Sequence, residues 1–192
     1  MKHKLGLLLG LFFAASFSAN AALIDIDIES KDIGSTFNEQ NLKAYWDSST
    51  SSTTSEFAGL TALTGLYFNG SGNNNTLYKL TIDFGYSLTA RTFDFFAGLD
   101  AGKGAEIFEN GNLIFDDSSD IWWKRDWNNS DVINVSFVFN GNGGDTIELY
   151  WAEGSNSGGN SFKITENVSA PGALAIMMIG LGGLLARRKI KA

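Results

Sequence analysis

The chain has 192 residues, a formal net charge of −7, no cysteine, and a single histidine, His3, near its N-terminus. A domain folded from the rest of the chain therefore lacks the residues for Ser-His-Asp or Cys-His catalysis, for a zinc site made of His or Cys, and for disulfides. Fifteen Phe and five Trp, with 44% hydrophobic residues, indicate one folded domain.

The charges are distributed unevenly along the chain. Six of the 14 basic residues lie in the terminal segments, whereas all 21 acidic residues lie between Asp25 and Glu166. The central region thus carries eight basic and 21 acidic residues, a net charge of −13. Such a domain repels nucleic acid and anionic membrane surfaces, so we expect no nucleic-acid partner.

Residues 1–22 have the three parts of a secretory signal peptide. Two lysines precede an apolar run, Leu5–Phe13, and the small residues Ala19-Asn20-Ala21 match a cleavage site. A buried N-terminal helix is the alternative. It does not account for the basic start of the segment, the length of its apolar run and the small residues at its end together. The sequence predicts export and a mature chain that begins near Leu23.

The region 23–167 contains no proline, and its apolar residues alternate with polar ones. In Leu23–Glu29, three isoleucines fall on one face and three acids on the other, the period of a half-buried strand. Three further segments alternate in the same way: Tyr78–Phe84, Ile133–Phe139 and Ile147–Trp151. We find no amphipathic helix in this region.

Turn residues separate the predicted strands. Asn110-Gly111, between two apolar segments, predicts a hairpin with a two-residue type I′ turn. Longer polar loops are predicted at residues 48–55, 69–75 and 140–144. Short strands with closely spaced turns predict an all-β fold: a single β-sandwich, jelly-roll-like or like a carbohydrate-binding module, with phenylalanines in its interior.

Two clusters follow the hairpin. Asp116, Asp117 and Asp120 are weak candidates for a Ca²⁺ site; the segment lacks the Gly and Glu of an EF-hand loop, and a solvated acidic turn is the favoured alternative, so we expect no cofactor. Trp122, Trp123 and Trp127 are candidates for glycan contact, because aromatic rings form flat platforms for sugar rings. In the alternative, one or two of these tryptophans are buried and Trp123 covers a strand edge.

Carboxylate pairs are the only candidates for catalysis. Asp83 with Asp94, or Glu106 with Glu148, could form a glycosidase acid and base. Among 21 acids such pairs arise by chance, and no catalytic motif supports either pair. The sequence therefore predicts no catalytic residues and no enzyme.

The C-terminal segment predicts a membrane anchor. Pro171 is followed by fifteen uncharged residues, 172–186, and then by the basic tail Arg187, Arg188 and Lys189. As a helix the run is about 22 Å long, so it spans the roughly 30 Å hydrocarbon core only marginally. The positive-inside rule keeps the basic tail cytoplasmic and places the domain across the membrane. A core helix is the alternative, but the run is apolar on every face.

The motif Val168, Ser169, Ala170 and Pro171, with the apolar run and basic tail behind it, resembles a PEP-CTERM sorting signal. Ser169-Ala170-Pro171 stands where Pro-Glu-Pro gives the signal its name, so only the last proline matches. The resemblance implies an exosortase, a transpeptidase-like membrane enzyme, as a partner that processes the tail, as in GPI-type signals. It implies transient anchoring in the inner membrane with the domain in the periplasm, followed by display at the cell surface or release.

Residues 93–164 resemble the CCXG family of PEP-CTERM proteins. The resemblance is carried by these segments: Phe95–Gly102, Glu106–Phe115, Asp120–Trp123 with Trp127 and Ser130–Val132, then Thr146–Tyr150 and Ala152–Gly154. Ser155-Asn156 replaces the Cys-Cys pair of the family, so no role of those cysteines transfers. The order of strands is similar, more loosely, to carbohydrate-binding sandwich modules of the anthrax protective antigen type. The resemblance assigns no activity.

The sequence thus predicts an exported, exosortase-sorted protein of the envelope or extracellular matrix. In the first hypothesis the β-sandwich, residues 23–167, has a structural or adhesive role. The alternative is a carbohydrate-binding module for exopolysaccharide, with the tryptophans as its stacking surface. A third hypothesis is an uncharacterised carbohydrate-active enzyme that uses two carboxylates.

Overall fold

The structure, a computed structural model, describes residues 24–34, 37, 41–69, 75–86, 90–154 and 158–167. The predicted signal peptide and sorting signal lie outside the described residues. The elements are β1 Ile24–Asp32, α1 Leu42–Ser48, β2 Thr54–Leu60, β3 Thr64–Asn69, β4 Thr76–Tyr86, β5 Arg91–Gly98, β6 Asp100–Ala101, β7 Ala105–Glu109, β8 Asn112–Asp117, β9 Ile121–Trp122, β10 Ile133–Phe139, β11 Asn142–Glu153 and β12 Gly159–Asn167.

Antiparallel strands form two large sheets and one small ladder. The six-stranded sheet has the order β2-β1-β4-β11-β7-β8, and the four-stranded sheet has the order β10-β5-β12-β3. Their inner faces share one hydrophobic core, to which both sheets contribute fully buried side chains. The short strands β6 and β9 pair beside them. The predicted all-β sandwich is confirmed.

Alternation along the strands explains which side chains enter the core. Ile26 and Ile28 of β1 are fully buried, whereas Asp25 and Asp27, which alternate with them, face outward. Phenylalanines from both sheets meet in the interior: the rings of Phe84, Phe93 and Phe137 lie with centroids 5.3–5.7 Å apart. The predicted inward face of β1 and the phenylalanine interior are both confirmed.

The turn predictions have mixed outcomes. Asn110 and Gly111 have φ values of 50° and 77°, as a type I′ turn requires, so the hairpin between β7 and β8 is confirmed. The loop predicted over residues 140–144 is shorter than expected, because β11 already begins at Asn142 with a bulge before Asp145. Glycines are tolerated there because a bulge needs unusual backbone angles.

The prediction that this region lacks a helix is wrong at α1. Leu42 and Trp46 of α1 are buried against Leu77 and Tyr150 on the outer face of the six-stranded sheet, where they form a second, smaller core. Seven residues are too few to show a helical period in the sequence. Tertiary contacts therefore determine this helix.

Both ends of α1 are bonded to strands of the sheet. The carboxylate of Glu106 on β7 accepts hydrogen bonds from the backbone N–H groups of Leu42, at 2.9 Å, and Lys43, at 3.0 Å. At the other end, Lys31 Nζ on β1 donates to the carbonyl oxygen of Trp46 at 2.8 Å. These side chains form hydrogen bonds with backbone groups at the helix ends, which have no partner within a helix.

Candidate functional site

The tryptophan cluster lies at one end of the sandwich. The ladder of β6 and β9 pairs Asp100 with Trp122, and the loop 123–132 then folds back over the end of the four-stranded sheet. Gly158, which directly precedes β12, lies at the same end, because it contacts the Asp100 carboxylate. We call this region the Trp122 end.

Trp122 presents its ring to solvent from a fixed backbone. Its side chain is 54% exposed, the largest exposure among the large hydrophobic side chains that the structure describes. The backbone of Trp122 pairs with β6. In addition, its backbone N–H donates to Asp131 Oδ2 at 3.4 Å, and its backbone carbonyl accepts from Asn129 Nδ2 at 3.4 Å. Because the strand is already ordered, little conformational entropy is lost when a ligand binds to the exposed ring.

Trp123 points the opposite way and is 4% exposed. Its ring covers Gly98, where even a methyl group would come within 2.4 Å of the indole. Its Nε1 donates to the carbonyl of Gly159 at 2.6 Å. Trp123 therefore attaches the loop 123–132 to the outer face of the four-stranded sheet.

Trp127 lies between these two extremes. It is half-buried, with its ring centroid 5.0 Å from that of Trp123. Lys163 Nζ lies 4.3 Å from the centroid of Trp127 and 4.4 Å from that of Phe96. The three tryptophans thus do not form one platform, because Trp123 is buried and Trp127 packs against it, whereas Trp122 is exposed.

Between Trp123 and Trp127 the chain makes a turn with an unusual backbone. Lys124 and Arg125 have φ values of 56° and 58°, and Asp126 N–H donates to the Trp123 carbonyl at 3.0 Å. Two consecutive left-handed residues define a type I′ turn, for which Asn-Gly is the preferred pair. Lys124 Nζ lies 5.5 Å from the Trp122 ring centroid, and Arg125 Cζ lies 5.5 Å from that of Tyr67.

A buried polar network lies beneath the Trp122 end. Asn160, fully buried, donates from Nδ2 to Glu153 Oε1 at 2.9 Å and accepts at Oδ1 from the Asp100 N–H at 3.0 Å. Since Asp100 pairs with Trp122, this network links the interior to the exposed ring. Sequence reasoning missed it, because its members lie up to 60 residues apart.

Burial changes the acidity of two carboxyl groups in this network. Burial raises the pKa of Glu153 to about 7, and the nearby Asp100 carboxylate acts in the same direction against the hydrogen bond from Asn160. Glu153 Oε2 and Trp151 Nε1 are both buried and have no hydrogen-bond partner among the described residues, and the nearby Trp151 N–H acts against the rise in the pKa of Glu153. Burial and the neighbouring Asp120 also raise the pKa of Asp100.

The three aspartates proposed for Ca²⁺ lie on and after β8. Asp116 and Asp120 are exposed, and Asp117 Oδ1 accepts from the Ser119 N–H at 2.8 Å and from its Oγ at 2.6 Å. Within the described residues, no three His, Cys, Asp or Glu side chains are grouped as a metal site requires. The contacts of Asp117 are those of an acidic turn.

The structure places the paired carboxylates in other roles. Asp83 lies on the six-stranded sheet and Asp94 on the four-stranded sheet, both facing away from the shared core, so the two lie on opposite sides of the sandwich. Glu106 accepts hydrogen bonds from the start of α1. Glu148 pairs with Lys43 at 3.0 Å and with Lys79 at 2.9 Å.

The sorting motif Val168, Ser169, Ala170 and Pro171 and the basic tail Arg187, Arg188 and Lys189 lie outside the described residues. Among the helices within the described ranges, none has the length and apolar character to cross a membrane.

Comparisons with known proteins found no matching family model and no matching curated protein. Among solved structures, the PA14 sugar-binding domain from an RTX adhesin is similar at 16% identity, with a TM-score of 0.45, over 78% of this chain and 93% of that one. The PA14 domain of the MpAFP antifreeze protein is similar at 18% identity, with a TM-score of 0.42, over 80% and 87%. A family 35 carbohydrate-binding module from Clostridium thermocellum has 17% identity and a TM-score of 0.24, over 54% and 92%. Likeness at this level does not identify a ligand.

Proposed function

We propose that this protein is an exported, non-enzymatic β-sandwich that binds polysaccharide through Trp122 and acts as an adhesive component of the envelope or extracellular matrix. The observation that carries the proposal is the 54% exposed ring of Trp122, held on a paired strand beside a buried anchor, Trp123. Trp122 is thus the proposed contact, and Trp123 and Trp127 lie in supporting positions.

The chemistry of the Trp122 end fits a sugar. The C–H face of a pyranose ring is apolar and flat, so it gains by covering an exposed indole face. Hydroxyl groups of the same sugar need polar partners, and the exposed Asp120 carboxylate lies next to β9. A small cleft of about 120 Å³ adjoins this carboxylate, lined by Ser119, Asp120, Ile121 and Asp131 among others.

The non-enzymatic part of the proposal is supported by the contacts of the acidic side chains. Glu106 and Glu148, the pair on one sheet, are engaged with α1 and with two lysines. Glu153 has a pKa of about 7, but it is 2% exposed and has no direct access to a bound polysaccharide. A general acid must reach the bond that it protonates.

Replacing Trp122 by alanine is expected to abolish polysaccharide binding while changing the free energy of unfolding by only about 0.5 kcal/mol, because the ring is mostly in solvent. Leu113→Ala is the matched control, since Leu113 is 53% exposed on the distant hairpin strand β8. Glycan-array binding and urea unfolding of both variants measure the two effects. Retained binding in Trp122→Ala, or equal loss in both variants, would reject Trp122 as the contact.

We further propose that residues 1–22 direct export and that an exosortase-type enzyme processes the protein at residues 168–192. The support is the sequence: a basic, apolar and small-residue start, and an apolar run closed by basic residues. The acidic domain would then lie on the outer side of the membrane, where extracellular polysaccharide is accessible.

Deleting residues 172–192 is expected to prevent membrane retention and normal processing, because this is the only long apolar run left after signal cleavage. The sandwich itself should still fold, since its core is complete within residues 24–167. Membrane fractionation and the mass of the mature protein measure the effect. Identical fractionation and mass with and without the deletion would remove the support for sorting.

A further inference from the structure

The basic side chains of the domain fall into two groups. Lys43, Lys79 and Arg91 form ion pairs with acidic side chains, and Lys31 donates to backbone carbonyls at the end of α1. The remaining four are Lys103, Lys124, Arg125 and Lys163. Within the described part of the chain, none of these four forms a salt bridge.

All four side chains that form no salt bridge lie at the Trp122 end. Lys124, Arg125 and Lys163 stand over the rings of Trp122, Tyr67 and Trp127, at 5.5, 5.5 and 4.3 Å from their centroids. Lys103 lies in the turn after β6 and packs against Gly154. Half of the eight basic side chains of a domain with a net charge of −13 thus lie at this end without a salt bridge, beside an exposed aromatic ring.

The carboxylates at the same end are mostly bonded to protein donors. Asp126 accepts from the Asn128 N–H at 2.9 Å, Asp131 accepts from Trp122 and Ser130, and Asp100 accepts from the Gly158 N–H. Asp120 is the exposed exception. A ligand that approaches Trp122 therefore meets cations that form no salt bridge and carboxylates that mostly accept hydrogen bonds from the protein, although Arg125 also acts against the rise in the pKa of Asp100.

The backbone of the turn adds an independent observation. Lys124 and Arg125 both occupy the left-handed region, which is unfavourable for residues with a Cβ atom and which Asn-Gly would occupy with less strain. Strained conformations of this kind concentrate at functional sites. Two long cationic side chains at strained positions indicate a role that the turn itself does not require.

We propose that the Trp122 end binds an acidic polysaccharide whose sugars carry carboxylate groups. This inference rests on the proposed function and adds the charge of the ligand. A sugar ring stacks on Trp122 while its carboxylate lies against Lys124 and Arg125, since a guanidinium binds a carboxylate through two parallel hydrogen bonds. Lys163 and Lys103 extend the positive surface for further residues of the polymer.

The test uses the full chain and the double variant Lys124→Asn with Arg125→Gly. Asn-Gly suits a type I′ turn, so the variant should melt no lower than the wild type, yet it should bind polygalacturonate at least tenfold more weakly. Arg91→Gln is the control for a lost positive charge, because Arg91 lies at the other end of β5 and pairs with Glu166. Titration calorimetry measures the affinity.

Polygalacturonate and its fully methyl-esterified form are matched probes with the same sugar backbone and different charge. We expect the ester to bind at least tenfold more weakly, and the affinity for the acid to fall as salt is added. If both probes bind equally well and Trp122→Ala loses this binding, the proposal of an acidic ligand is wrong and the proposed function remains intact. If neither these probes nor alginate nor neutral glycans bind, both proposals fail.

Discussion

Replacing Trp123 by alanine is expected to destabilise the domain by about 3–5 kcal/mol, the usual cost of removing a buried large aromatic side chain. The substitution removes the contact with Gly98 and leaves the Gly159 carbonyl without its 2.6 Å hydrogen bond. Urea unfolding followed by fluorescence of the remaining tryptophans measures the loss. A loss below about 1 kcal/mol would show that Trp123 does not attach the loop to the sheet.

Gly98→Ala provides a second, independent measurement of the same contact. In the wild type the new methyl group lies 2.4 Å from the indole, so the ring must move and stability should fall by about 1–3 kcal/mol. In the Trp123→Ala background the space is open, and the same substitution should cost little. Additive effects of the two substitutions would contradict the packing of Trp123 on Gly98.

Replacing Glu153 by glutamine is expected to stabilise the domain at alkaline pH and to have little effect at acid pH. The folded state raises the pKa of Glu153 from an ordinary 4.5 to about 7, so the folded protein binds this proton more tightly than the unfolded chain does. The contribution of Glu153 to stability is therefore greatest below pH 4.5 and is lost as the pH rises to about 7. At about 1.4 kcal/mol per pH unit, the loss is about 3 kcal/mol.

Glutamine is neutral at every pH and keeps a partner for Asn160, so the variant should lack this loss. Unfolding free energies of the wild type and Glu153→Gln, measured in urea from pH 4.5 to pH 8, should diverge as the pH rises. Parallel curves would mean that Glu153 is already ionised in the folded protein at acid pH.

Glu148→Gln is a control, because its effect on stability is expected to have the opposite dependence on pH. Burial alone would raise the pKa of Glu148, but hydrogen bonds from Lys79 and Lys43 outweigh burial and lower it. Ionised Glu148 therefore stabilises the fold above its ordinary pKa, and that stabilisation is lost as the pH falls through the lowered folded value. Its replacement should destabilise the domain at neutral pH, with a deficit that shrinks on acidification.

The sequence predicted those parts of the fold that depend on local patterns. Alternation located β1, β4, β10 and β11, and Asn110-Gly111 located the hairpin, because both signals are contained in a few consecutive residues. The pairing of strands into two sheets depends on contacts between distant segments, which a pattern along the chain does not contain.

The candidate site was predicted only in part for a related reason. Trp122, Trp123 and Trp127 are close in sequence, but adjacent residues in an extended segment point to opposite faces, so Trp122 and Trp123 do not share a surface. This rule was available from the sequence. The role of Asn160 was not, because its partners Glu153 and Asp100 become neighbours only in the folded sandwich.

The helix α1 also has a consequence for the order of folding. Isolated helices of fewer than about 12 residues are marginal in water, and α1 has seven. The groups that bond its two ends, Glu106 on β7 and Lys31 on β1, are separated in the sheet by β4 and β11. These two side chains reach their positions only when the four strands have already paired. We therefore expect the helix to form after the sheet, and any event that separates β4 from β11 to remove the support at one of its ends.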